Sequence, residues 1–177
     1  MPRILLLLLS MLMLSACQDS LVRPETSPHY RISTDAQLVL HRALTIPAKS
    51  VRVRVQGGRV MKMGSIDIYY PYCELEVNTL SQEDQLIQPD RFTIYKVNRE
   101  EQYSSLDRRL AAINHGADNI LGYVSIIGYA NEYYLRSVRQ PDVTRLTCLH
   151  WMDPGDGYYP SLAEVKQALG SVFTLEE

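Results

Sequence analysis

The chain has 177 residues, of which 46% are hydrophobic and 21% charged. That is enough for one domain with its own core and too little for two ordinary ones. Its 18 basic residues against 20 acidic ones give a formal charge of −2, which argues against a nucleic-acid partner.

Arg3 is the only charge ahead of an apolar run, residues 4–14, broken only by Ser10. A basic start, an apolar stretch of roughly 7–15 residues and small residues before a cut, here Ser15 and Ala16, are the parts of a secretory signal. The run is shorter than the about 20 apolar residues of a spanning helix, and polar Gln18-Asp19-Ser20 follows at once. The sequence Leu14-Ser15-Ala16-Cys17 resembles a bacterial lipobox. This resemblance implies that residues 1–16 are a lipoprotein signal peptide. Cys17 then becomes the first mature residue and carries the acyl chains, diacylglycerol and palmitate. Gln18, rather than Asp, in the position after the cysteine implies the outer membrane rather than the inner one. A plain secreted protein cut at the same point is the alternative, and a cysteine at the first mature position argues against it. Without its first 16 residues the chain keeps 161.

Residues 18–35 contain Pro24 and Pro28 with several Ser and Thr and show no sustained period. They read as a flexible tether, so residues 17–35 form a lipidated cysteine and its tether, and 36–177 a single periplasmic β-rich domain. Residues 38–46 are a candidate strand, with a turn at 47–50. Residues 51–55, Val-Arg-Val-Arg-Val, alternate strictly, and Gly57-Gly58 suits a hairpin turn into a return strand at 59–63. Residues 66–70 and 72–77 are two strand-like pieces around Pro71, which cannot donate to a ladder. Residues 78–90 read as a polar loop and 92–97 as a strand. Leu106, Leu110 and Ile113 sit at helical spacing within 104–115, where a loop competes with a helix. Residues 120–129, 132–139 and 143–151 read as strands, the last two joined by a type I turn at Gln140-Pro141-Asp142-Val143. After a Gly- and Asp-containing loop, Ser161 and Glu164 form a capping box. Leu162, Val165 and Leu169 share a helix face, and Gly170 ends the helix. Residues 172–175 then pack back on the core. These roughly seven to nine short strands predict a mainly β fold, an antiparallel sandwich or small barrel with one short C-terminal helix.

With Cys17 acylated, Cys73 and Cys148 remain. In an oxidising compartment two such cysteines pair, and alternation places both on apolar strand faces. Tyrosine outnumbers phenylalanine twelve to two, which suits sheets with one half-wet face. The clustered aromatics Trp151, Tyr158, Tyr159, Tyr133 and Tyr134 are the candidate partner- or ligand-binding residues. Cys148 and His150 share a strand face, and with His41 they could ligate a metal. The ordinary account is a disulfide and a hydrogen-bonded His150. Arg52 and Arg54 would pair with Glu74 and Glu76 if their strands are neighbours. A narrower idea makes Arg52, Arg54, Arg59 and Lys62 a basic stripe for anionic envelope components. The Gly122–Gly128 segment lacks the spacing of a nucleophile elbow. No catalytic residue, metal or cofactor is therefore assigned.

Leu146-Thr147-Cys148-x-x-Trp151 and Ala168-Leu169-Gly170 resemble segments of uncharacterised proteobacterial lipoproteins. The resemblance implies a Gram-negative envelope protein and no particular activity. The expectation is a non-enzymatic outer-membrane lipoprotein facing the periplasm, a binding or scaffold domain for an envelope protein or glycan partner. The alternative is a periplasmic small-ligand, glycan or metal binding protein.

Overall fold

The computed structural model describes residues 23–62, 64–103 and 126–177. The signal peptide and Cys17, and the candidate helix at 104–115, lie outside the described residues. Strands make up 47% of the described residues. In chain order they are β1 (Gln37–Leu40), β2 (Leu44–Ile46), β3 (Arg52–Gln56), β4 (Arg59–Met61), β5 (Tyr72–Val77), β6 (Gln85–Ile87), β7 (Asp90–Tyr103), β8 (Ile127–Arg136), β9 (Val143–Met152) and β10 (Phe173–Glu176). Among the described residues there is one helix, α1 (Leu162–Leu169), which precedes β10. Eight strands form one antiparallel sheet in the order β10-β1-β7-β8-β9-β5-β3-β4, curled into a half-barrel, and β2 and β6 form a two-stranded ribbon. The fold is thus mainly β with a short C-terminal helix. Its sheet curls part-way towards a barrel rather than pairing with a second sheet of similar size.

Alternation builds the inner face. Val53 and Val55, Cys73 and Leu75, Leu146 and Cys148, Leu38 and Leu40, and Phe92 and Ile94 all join one core. Helix α1 covers that side of the sheet with Leu162, Val165, Ala168 and Leu169. The Ser161 hydroxyl accepts from the Glu164 N–H at 3.3 Å, and Glu164 accepts from the Ser161 N–H at 2.8 Å, which completes the capping box. The type I turn closes with the Val143 N–H donating to the Gln140 carbonyl at 3.2 Å. Cys73 and Cys148 stand opposite each other on β5 and β9 and are joined by a disulfide.

Several segments differ from the sequence expectation. Residues 38–46 are not one strand: the chain breaks after Leu40, and β1 joins the main sheet while β2 joins the ribbon. The stretch read as a polar loop contains β6, whose one buried side chain, Ile87, reaches the core. Residues 66–70 form no strand. They fold over the other sheet face, where Ile66 and Ile68 pack with Tyr72, Ala130, Leu149 and Trp151 in a small second cluster. The Trp151 N–H donates to the Ile68 carbonyl at 2.8 Å. Part of the expected tether is also docked. In residues 23–35, Ile32 is buried, the Glu25 carboxylate meets Lys166 Nζ at 2.6 Å, and the Glu25 carbonyl accepts from the Ala163 N–H at 3.0 Å.

Replacing Cys73 and Cys148 together with Ser releases a 75-residue closure, for which chain entropy gives about 4.5 kcal/mol. Urea unfolding of the variant and of the reduced wild type should show the same large drop in midpoint. Gly170 has φ +51°, and a Cβ there would lie 2.5 Å from the Gly58 Cα in the β3–β4 turn. Gly57 also has positive φ but faces open space. Gly57→Ala should therefore cost about 1 kcal/mol in urea unfolding, and Gly170→Ala clearly more.

Candidate binding face

The face of the sheet turned away from α1 is polar over five strands, and register explains its layout. One cross-strand row runs Arg52, Glu76, Arg145, Tyr134, Lys96 through β3, β5, β9, β8 and β7. The next runs Arg54, Glu74, Thr147, Glu132, Asn98 along the same strands. Opposite charges opposed on neighbouring strands attract, so the rows lock into a chain of ion pairs. Arg54 Nε lies 2.5 Å from Glu74, Arg52 Nε 2.8 Å from Glu76, Arg145 Nη2 3.0 Å from Glu76 and Arg145 Nη1 2.5 Å from Glu132. The conditional pairing of Arg52 and Arg54 with Glu74 and Glu76 is met. These partners also take Arg52 and Arg54 out of the basic stripe, because both arginines are neutralised on the sheet.

Glu132 is the centre of this network. It is 2% exposed, and its second carboxylate oxygen accepts from Asn98 Nδ2 at 3.2 Å and from the Tyr134 hydroxyl at 3.1 Å. A carboxylate so far from water needs such partners to stay folded in place. Lys96 lies over the Tyr134 ring at 4.6 Å, with the Arg145 guanidinium at 5.9 Å. A trough of about 380 Å³ opens on this face, between Arg52, Glu74, Glu132, Arg145 and Thr147 on one side and Glu100, Gln102, Tyr103 and Trp151 on the other.

The aromatic candidates do not form one surface. Trp151 and Tyr134 belong to the outer face. Trp151 Nε1 donates to the Tyr72 hydroxyl at 3.3 Å, and its ring lies against Gly128, where an added Cβ would approach Cε2 to 3.2 Å. Tyr133, one residue from Tyr134, points inward and is 4% exposed, so it is a core residue and not a surface anchor. Burial pushes its hydroxyl well above the ordinary tyrosine range. Tyr158 and Tyr159 lie on the inner side, at the polar end of the core. The Tyr159 ring is held between the Arg99 guanidinium at 4.8 Å and the edge of Tyr129 at 5.6 Å. Tyr158 meets the His150 ring edge-on at 4.8 Å and donates to Glu164 at 3.0 Å. Burial first, then the Glu164 carboxylate, raises the Tyr158 hydroxyl. Both tyrosines thus pin the loop that leads into α1.

His150 is buried, and its Nε2 donates to the Tyr158 carbonyl at 2.7 Å, while the Cys148 sulfur is taken by the disulfide. His41 Nε2 shares a hydrogen bond with the Thr174 hydroxyl at 2.6 Å. Among the described residues no group of three or more His, Cys, Asp or Glu side chains is placed to hold a metal. Nearby, Arg99 Nε donates to Asn131 at 3.1 Å, and its Nη2 donates to the carbonyls of Pro28 and Tyr30 at 2.5 and 3.1 Å. Asn131 Nδ2 donates to the Pro160 carbonyl at 2.6 Å.

Glu132, Arg145, Thr147, Glu100 and Gln102 were not singled out from the sequence. Alternation in β9 carried part of the signal, since Arg145 and Thr147 share a face with Trp151. The opposing strand partners did not show in any local pattern. Neither a protein-family model, nor a curated protein, nor a solved structure matches this chain.

Arg145→Ala leaves the buried Glu132 carboxylate without its cation and should cost about 3 kcal/mol in urea unfolding. Adding Glu132→Gln to that variant should recover part of the loss, because the neutral amide no longer needs the guanidinium.

Proposed function

We propose that this chain is a lipid-anchored outer-membrane lipoprotein whose domain faces the periplasm and acts, without enzymatic chemistry, as a binding or scaffold module for an envelope partner. The observation that carries the reading is Leu14-Ser15-Ala16-Cys17 combined with the docking of residues 23–35 on the domain. Only residues 18–22 lie between Cys17 and the docked segment, a span of at most about 20 Å when fully extended. A lipidated Cys17 would thus hold the domain against the membrane surface on a short leash. Stable anchoring takes more than one acyl chain, which a lipoprotein cysteine supplies. No helix among the described residues is long and apolar enough to cross a membrane.

The engagement of the titratable groups supports a binding role over a catalytic one. Glu74, Glu76 and Glu132 are held by guanidinium partners, and the His150 Nε2 is committed to a backbone carbonyl. A ligand face of fixed polar groups loses little freedom on binding, which favours recognition.

In a Gram-negative host, full-length wild-type protein should fractionate with the outer membrane and the Cys17→Ala variant with the soluble periplasm. Crosslinking followed by mass spectrometry should recover one dominant envelope partner from the wild type and lose it in the variant. Unchanged membrane fractionation of Cys17→Ala would overturn the lipoprotein reading.

A further inference from the structure

We propose that the trough on the outer sheet face binds a neutral saccharide of one or two rings, with Thr147 and Glu100 reading hydroxyls and Trp151 flanking a ring face. The inference rests on the reading of this domain as a binding module and names the ligand class of its polar face.

Thr147 stands between Glu74 and Glu132 in its cross-strand row and is shorter than both. That step in side-chain length makes the floor of the trough. Thr147 lines the trough, and its hydroxyl is the group the floor offers to a ligand. Beside it, the Glu132 carboxylate is fixed by Arg145, Asn98 and Tyr134, so this part of the lining is held rigid.

Charge narrows the ligand class. Three lining carboxylates face two lining guanidiniums, and four of these five groups belong to the ion-pair chain. The surplus is the exposed Glu100 at the rim, which disfavours phosphate, sulfate or an acidic sugar. Size and polarity narrow it further. About 380 Å³ is near the low end of small-ligand sites, roughly 300–1,000 Å³, and those sites are mostly apolar. A lining this polar suits a ligand whose own surface is mostly hydroxyl. Trp151, braced by Gly128 and the Tyr72 hydroxyl, supplies the apolar patch that the C–H face of a pyranose needs.

Trp151 is the only tryptophan in the chain, so its emission reports on the trough without a label. The full chain in detergent would be titrated with cellobiose and chitobiose, then with glucose 6-phosphate and spermidine. The expected result is a saturable change with at least one neutral disaccharide, at a Kd of about 1 mM or tighter. Thr147→Val and Glu100→Gln should each weaken it about tenfold at unchanged melting temperature. Glu100→Gln, at the exposed rim, keeps the test valid if Thr147→Val does not fold. No saturation with either disaccharide, tighter binding of glucose 6-phosphate or spermidine, or full affinity in the folded variants would overturn the proposal. If the envelope crosslink survives such a failure, only the saccharide site falls; the anchored binding module stands or falls with the Cys17→Ala fractionation.

Discussion

The pairing of β5 with β9 is the seam on which this molecule depends. Strands β3, β4 and β5 lie on one side of it, and β9, β8, β7, β1 and β10 on the other. Its register sets both faces at once. Cys73 opposite Cys148 places the disulfide on the inner face, and the same register places Glu74 opposite Thr147 and Glu76 opposite Arg145 on the outer face. A slip of one residue would send the thiols outward and the charges into the core. The covalent bond and the ion-pair rows are therefore two consequences of one alignment, and each opposes the slip that would break the other.

The outer face shows why isolated salt bridges are a poor guide to stability while a network is not. An exposed pair such as Arg91 with Glu176 contributes little, because water competes for both partners. The rows across β3, β5, β9, β8 and β7 differ because their ion pairs reach a carboxylate, Glu132, that water barely reaches. Its cost is offset only when Arg145, Asn98 and Tyr134 are all in place. Such a site is stiff, and stiffness is what a recognition surface needs.

The inner polar end has a different task. Arg99 reaches across the core edge to the carbonyls of Pro28 and Tyr30 and stacks on Tyr159, while Asn131 and His150 hold the backbone of residues 158–160. Desolvation lowers the affinity of the Arg99 guanidinium for its proton, with the Arg31 charge acting the same way, yet the group stays charged. Its Nη2 serves the Pro28 and Tyr30 carbonyls and its Nε the Asn131 side chain. The segment that leads back towards Cys17 and the loop that leads into α1 are thus tied to one residue. This couples the path of the leash to the fold of the domain.

Much of the secondary structure was legible in local pattern. The Val-Arg alternation of β3, the Gly57-Gly58 turn, the type I turn and the Ser161/Glu164 capping box each need only a few neighbouring residues. So does the inward placement of Cys73 and Cys148. What escaped was set by residues distant in sequence. Extending the alternation from Phe92 and Ile94 would place Lys96 in the core, but the register shift between Ile94 and Lys96 leaves Tyr95 as an extra residue. It turns Tyr95 and Lys96 outward and brings Val97 and Arg99 inward. Tyr133 and Tyr134 were alike as sequence, and only the β7 register decides that one is core and the other lies on the trough side. Strand β6 carries a single buried side chain and exists because β2 is there to pair with it. The sequence by itself determined strand content, the helix and its caps, and which cysteines could meet, because those follow from local sterics and hydrogen bonding. The trough, the ion-pair rows around Glu132 and the docking of residues 23–35 were decided by tertiary structure, because each depends on which strands become neighbours and in what register.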